Sequence, residues 1–152
     1  MKPITSKNIK EISSAFHGML ASVVVPVLLA LVSYGYSHEL IILWSSSVLF
    51  ACYFGWLFGS WYVPIKGERL FVEPYLVTPM VSFLSAIGAG LLFMLATELS
   101  ASAQNMFNLG SVFGGGVFIG VYAFVLTLPV TVVIGVVAAL YLYKFGGYEN
   151  AL

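Results

Sequence analysis

The distribution of charge along this 152-residue chain restricts its fold more than any other feature. Four long segments contain no Asp, Glu, Lys or Arg. They lie between Glu11 and Glu39, between Glu39 and Lys66, between Glu73 and Glu98, and between Glu98 and Lys144. Each is long enough to supply the roughly 17 to 25 apolar residues that a helix needs to cross about 30 Å of hydrocarbon. The pattern therefore predicts four membrane-crossing segments.

Composition leads to the same fold class. Only 8% of the residues are charged, against roughly 25% in ordinary soluble domains, so the chain lacks the polar groups needed to cover a water-facing surface. Helices satisfy their backbone hydrogen bonds internally, and the apolar segments do not alternate as barrel strands would. We expect an all-α membrane protein, a four-transmembrane-helix bundle that forms one domain over residues 1–152.

The predicted spans cover approximately residues 16–36, 40–63, 79–97 and 112–143. Upstream of them, apolar Ile9, Ile12 and Phe16 among lysines predict a short N-terminal amphipathic helix in the membrane interface. The last span is longer than one perpendicular crossing needs. Tilt, a kink at Pro129 or a short re-entrant piece through residues 114–116 could each absorb the surplus.

The topology follows from the basic residues. With four crossings, all six lie on one side of the membrane: Lys2, Lys7, Lys10, Lys66, Arg69 and Lys144. The positive-inside rule makes that side cytoplasmic, which places both termini inside. We expect a multi-pass protein of a bacterial inner membrane.

Small residues recur at four-residue spacing in three of the predicted spans. They are Gly55 and Gly59 in the second, Ser82, Ala86 and Gly90 in the third, and Gly116 and Gly120 in the fourth. Small side chains let helix backbones approach closely, which is how helices associate in lipid. Two interpretations are open: these faces pack inside the bundle, or one meets another subunit. The Gly55 face is the candidate for the second, because bulky aromatic residues flank it.

Few residues suggest chemistry. His38, Glu39 and Glu98 share the extracytoplasmic side, where a solvated polar cluster is favoured over a metal site. Gly114, Gly115 and Gly116 could line a pore or break the last helix, although close packing is the simpler interpretation. His17 is interpreted as an interfacial residue at the start of the first span. No ionisable residue is then expected near a span midpoint, which disfavours proton-coupled transport.

No nucleophile with a partnering base, no paired carboxylates and no basic stripe can be assembled from the sequence. We therefore predict no enzymatic activity, no cofactor, no metal and no nucleic-acid partner. The leading hypothesis is a non-enzymatic protein that contacts the lipid bilayer and either another membrane protein or further copies of itself. It would act through helix contacts as an accessory subunit of a membrane complex, or as an immunity or exclusion protein. The alternative is a small oligomeric channel or carrier.

Overall fold

The computed structural model describes residues 9–32, 38–62, 74–101 and 107–145, which are helical except at 107–108. The helices are α1 (Ile9–Val32), α2 (His38–Phe58), α3 (Pro74–Ala101) and α4 (Leu109–Phe145), and a 3-10 turn (Gly59–Tyr62) follows α2 directly. Four segments are long and apolar enough to cross a membrane, one in each α-helix, with the 3-10 turn included in the second: Ile9–Leu28, Leu40–Tyr62, Tyr75–Ala101 and Leu109–Ala138. For the described residues, the prediction of an all-helical chain with four such segments is confirmed.

The first helix begins earlier than predicted. Ile9 is buried and belongs to α1, so residues 9–16 form the first two turns of that helix. A separate amphipathic helix is not confirmed, and residues 1–8 of that prediction lie outside the described part. Lys10 lies in the first turn of α1, and its ammonium group lies 4.9 Å from the centre of the Trp56 ring, where a cation is attracted to the π-face.

The third helix also begins earlier, at Pro74 instead of Pro79. Proline at the first position of a helix loses no hydrogen bond, because the N–H of a residue at that position has no partner within the helix. Pro79 lies inside α3 and lacks the N–H that would bond the carbonyl of Tyr75. That carbonyl oxygen lies 2.8 Å from the position a Cβ atom on Gly135 would occupy. The carbonyl that Pro79 leaves free therefore faces the backbone of α4.

The helices pack in chain order: α1 on α2, α2 on α3 and α3 on α4. Within the described residues, α1 makes few contacts with α3, and α1 and α4 do not pack closely against each other. The first and last helices thus leave a gap between them. α4 is one continuous helix of 37 residues, about 55 Å long at 1.5 Å per residue. Residues 114–116 therefore form neither a re-entrant segment nor a break in the helix.

The α1–α2 interface explains the glycines of the second span. A Cβ atom on Gly55 would lie 2.9 Å from the carbonyl oxygen of Ser13, and one on Gly59 would lie 2.9 Å from Cα of Lys10. Both distances are shorter than van der Waals contact allows, so only glycine lets the backbones approach this closely. The Gly55 face is consequently occupied by α1, and its assignment to a contact with another subunit is corrected.

The α3–α4 interface uses the remaining glycine pairs. A Cβ atom on Gly90 would overlap the carbonyl oxygen of Gly116, and one on Gly120 would lie 2.5 Å from Cα of Ile87 and 2.8 Å from the carbonyl oxygen of Ala86. Of the residues in the four-residue pattern, Gly90, Gly116 and Gly120 thus lie where the backbones of α3 and α4 approach closely. The spacing could not indicate that both face each other inside one chain.

Candidate functional site

Four buried polar residues form a hydrogen-bonded set that joins α1, the 3-10 turn and α3. We call Ser13, His17, Tyr62 and Thr78 the His17 network; each is at most 3% exposed. Nδ1 of His17 lies 2.8 Å from the carbonyl oxygen of Ser13, and Nε2 lies 3.2 Å from the hydroxyl of Tyr62. The same hydroxyl lies 2.5 Å from Oγ1 of Thr78. One phenol group thus connects two helices.

Local structure explains how these groups meet. Ser13 and His17 are one helical turn apart, so the imidazole folds back onto the carbonyl of its own helix. Gly55 admits the ring: a Cβ atom there would lie 3.0 Å from Nδ1 of His17. Tyr62 ends the 3-10 turn, and Thr78 lies just over one turn into α3. The network forms where α1 begins, α2 ends and α3 begins.

A consistent set of donors and acceptors satisfies the whole network. Nδ1–H donates to the Ser13 carbonyl, Nε2 accepts from the Tyr62 hydroxyl, and the Tyr62 oxygen accepts from the hydroxyl of Thr78. Every buried side-chain nitrogen or oxygen in the described part of the chain has a partner. Such satisfaction matters in an apolar environment, where an unpaired polar group is costly.

The burial of His17 adds to the interpretation from sequence. Its side chain is 2% exposed and contacts Tyr62, the last residue of the segment Leu40–Tyr62. His17 therefore lies at the level where α2 ends and α3 begins, enclosed by the other helices. The sequence carried no local signal for this, because Tyr62 is 45 residues away along the chain and nothing in the spacing of either residue indicates the pairing.

A groove begins at His17 and occupies the gap between α1 and α4. It has a volume of about 200 Å³. Its lining comes from residues 17–28 of α1, 43–51 of α2, 81–89 of α3 and 119–131 of α4. The two middle helices form its floor. All four helices contribute to this space, which we call the groove.

The two ends of the groove differ in polarity. Because consecutive helices are antiparallel, His17, Val81 and Thr131 lie at one end, and Leu28 and Ile119 lie at the other. The first end adjoins the His17 network. The second is lined by aliphatic side chains and by Tyr122, one turn from Ile119. The groove thus has a polar end and an apolar end, as a site for an amphiphilic molecule does.

Most hydroxyl groups of the lining are already hydrogen-bonded to their own helices. These are Ser47 to Leu43, Ser85 to Val81, Thr127 to Phe124 and Thr131 to Leu128. Among the described residues, Ser82 and Tyr122 line the groove without making a hydrogen bond. No Asp, Glu, Lys or Arg is part of the lining. Ser82, expected to belong to a packing face, instead offers a free hydroxyl to the groove, which Ala86 also lines.

The glycines proposed for a pore lie outside the groove. A Cβ atom on Gly115 would lie 2.7 Å from Cε of Met94, and one on Gly116 would lie 2.7 Å from Cα of Leu91, so both face α3. Around Gly114 no atom lies within 4 Å of such a position. The structure therefore assigns two of these three glycines to helix packing.

The polar cluster predicted from His38, Glu39 and Glu98 lies only partly within the described residues. Glu98 accepts a hydrogen bond from the hydroxyl of Ser111 on α4, and His38 is exposed at the start of α2. The side chain of Glu39 is outside the described residues. In the part of the chain that is described, no three His, Cys, Asp or Glu residues are placed to hold a metal ion. The contact that is present ties α3 to α4.

These parts together offer a ligand two things. The His17 network holds three elements in place with its own atoms already paired, and the groove beside it supplies apolar walls with two unpaired hydroxyls. The groove is therefore the candidate functional site. Comparisons of the chain with known protein families, with curated proteins and with solved structures found no match.

Proposed function

We propose that this protein is a non-enzymatic, multi-pass membrane protein that acts by binding another molecule of the bilayer in the groove between α1 and α4. The groove itself is the observation that carries the proposal: helices packed in chain order leave about 200 Å³ between the first and the last. Concave, mostly apolar spaces with a few convergent polar groups are the usual form of a ligand site.

Binding without catalysis is supported by the hydrogen bonds that most polar side chains of the groove already make. Both ring nitrogens of His17 are hydrogen-bonded, and four of the hydroxyls in the lining donate to backbone carbonyls. Ser82 makes no hydrogen bond to a base in the described structure, whereas a nucleophilic hydroxyl needs an adjacent base to be activated. The groove has walls for holding a molecule and no assembled set of groups for transforming one.

The role expected from sequence, as an accessory subunit or an immunity or exclusion protein, belongs to the same class of function. The small-residue faces no longer support that role, because their glycines pack against other helices of the same chain: Gly55, Gly59, Gly90, Gly116 and Gly120. A membrane-protein partner or a second copy would have to meet other surfaces. The alternative of a channel or carrier gains no support from the groove, since its aliphatic lining does not favour a water-filled path.

Site-specific photo-crosslinking in native membranes tests the proposal. A benzophenone amino acid at Leu126, which lines the groove, is compared with the same group at Val133, which is on the same helix and 63% exposed. We expect one discrete adduct, identified by mass spectrometry, at position 126 and a mixture of bulk lipids at position 133. Identical mixtures at the two positions would contradict binding in the groove.

The location in the membrane is part of the proposal. We propose insertion in a bacterial inner membrane with both termini cytoplasmic, supported by the placement of all six basic residues on one side of the four predicted crossings. The polar end of the groove then lies toward the cytoplasm, because α1 begins there.

A further inference from the structure

In the described part of the chain, the groove stops short of the end of the bundle at which α1 begins. Its lining ends at one residue in each of three helices: His17, Val81 and Thr131. One helical turn nearer that end, each of the three helices has a buried residue: Ser13, Thr78 and Gly135. A layer of buried residues therefore separates the groove from this end of the bundle.

Tyr62 occupies the middle of this layer. Its side chain is 3% exposed, and its ring stacks on the ring of His17 with 6.1 Å between their centres and 29° between their planes. On its other side, the hydroxyl group is hydrogen-bonded to Thr78. Few direct contacts join α1 to α3 in the described residues. The Tyr62 ring therefore takes up the space between these two helices just beyond the groove.

The layer extends to α4 through Thr78. Cβ of Thr78 lies 3.2 Å from the position that a Cβ atom on Gly135 would occupy, so α4 approaches Thr78 as closely as a glycine allows. Contacts thus run across the bundle from the first helix to the last in one row: His17, Tyr62, Thr78 and Gly135.

The side of the groove is open by contrast. Tyr122 and Leu126, which line the groove from α4, are 56% and 40% exposed. A molecule of the bilayer can reach these two side chains without passing the row of contacts at the polar end.

We propose that the Tyr62 side chain is a plug, which closes the groove to water at the end of the bundle where α1 begins and leaves it accessible from the side. Hydrogen bonds to His17 and Thr78 hold the ring in place between the two helices. A groove without water is the environment that apolar groups prefer. The plug does not depend on which molecule binds in the groove, and so it goes beyond the proposed function.

The accessibility of a cysteine at position 82 tests the plug. Ser82 lines the groove and lies about one turn from Thr78 along α3, so Ser82→Cys in the Cys52→Ala background places a thiol just beyond the plug. A thiol reacts as the thiolate, which forms poorly in apolar surroundings. A cationic, membrane-impermeant methanethiosulfonate reagent is added to inside-out vesicles and, separately, to spheroplasts. We expect slow labelling of position 82 in both.

Tyr62→Ala removes the plug. It should speed the labelling of position 82 by at least about 10-fold in inside-out vesicles, because water and reagent then reach the thiol, and should leave the rate in spheroplasts unchanged. Tyr62→Phe keeps the ring and should label as slowly as the parent protein. Phe83→Ala is the matched control: it removes a ring of the same helix that packs against Phe124, outside the lining, and should not change the rate.

The melting temperature in detergent verifies that each variant is folded. If Tyr62→Ala does not fold, His17→Ala takes its place, since it removes the ring on which Tyr62 stacks and should also speed labelling. In the parent protein, labelling of position 82 as fast as after denaturation in SDS would overturn the plug whether or not either variant folds.

Three further results would overturn it: an unchanged rate in folded Tyr62→Ala, a rate in Tyr62→Phe as high as in Tyr62→Ala, or an equal acceleration by Phe83→Ala. Acceleration confined to spheroplasts would support the plug and contradict the proposed topology. The photo-crosslinking at Leu126 tests binding separately, so its failure would contradict the proposed function and leave the plug in place.

Discussion

Tyr62 is the central residue of the His17 network, because its hydroxyl bonds both Nε2 of His17 and Oγ1 of Thr78. Tyr62→Phe removes both hydrogen bonds and leaves two buried polar atoms without a partner. Hydrogen bonds between membrane helices average about 0.6 kcal/mol, and an unpaired buried group adds to the loss. We expect the variant to lower the free energy of unfolding by about 1–2 kcal/mol, measured by steric trapping or denaturant titration in a lipid-like detergent.

Thr78→Val provides the control at the other end of the network. It removes one hydrogen bond and leaves the Tyr62 hydroxyl able to donate to His17, so its effect should be smaller, about 0.5 kcal/mol. In the Tyr62→Phe background the same change removes a hydroxyl that already lacks its partner, and it should be nearly neutral or stabilising. Simple additivity of the two changes would show that the residues do not interact.

Individual residues were the level at which the sequence predicted least. The sequence suggests an interfacial His17 at the start of the first span, but it does not indicate that α1 begins at Ile9 or that the His17 side chain is buried against Tyr62. Lys10 lies over the Trp56 ring and Glu11 is exposed, so neither requires the helix to stop. The burial of such side chains depends on contacts between residues far apart in the chain, and a single sequence does not reveal those contacts.

At the level of helices, the α3–α4 interface offers a matched pair of substitutions. Gly120→Leu would place a side chain where even a Cβ atom lies 2.5 Å from Cα of Ile87. Because backbone atoms of α3 cannot yield as a flexible side chain can, the helices must separate. We expect the free energy of unfolding to fall by about 1–3 kcal/mol, observed as a lower melting temperature in detergent.

Gly114→Leu is the control on the same helix, since a Cβ atom at that position meets no atom within 4 Å. Its effect on stability should be within about 0.5 kcal/mol of zero. A loss as large as that of Gly120→Leu would mean that the face of α4 carrying Gly114 is covered by something other than α3. Equal tolerance of both substitutions would contradict the close packing of the two helices.

Helix faces were more predictable than single residues. The glycines at four-residue spacing, Gly55 with Gly59 and Gly116 with Gly120, lie where helix backbones approach each other. The spacing does not say which helix lies opposite, so the Gly55 face was assigned to another subunit when α1 covers it. The start of the third helix is also predicted too late. Pro79 is a plausible first residue of a helix, but Pro74, five residues earlier, begins the same helix.

For the whole molecule, uncharged segments were sufficient to predict the number of apolar helices in the described chain. They could not predict the groove. Its existence depends on α1 and α4 not packing closely against each other, and helices of similar length and hydrophobicity could equally well close into a ring. The geometry with which the helices cross decides between a closed and an open arrangement, and the open arrangement supplies the candidate site.

The proposed topology makes the last prediction. Cys52 is the only cysteine, so a Cys52→Ala background allows single cysteines to be placed at Ser102, between α3 and α4, and at Asn150, near the C-terminus. If all six basic residues are cytoplasmic, a membrane-impermeant maleimide should label position 102 and leave position 150 unlabelled in intact spheroplasts. Both positions should be labelled after the membrane is permeabilised, which controls for accessibility. Labelling of position 150 alone in intact spheroplasts would invert the topology, and the polar end of the groove would then lie toward the outer side.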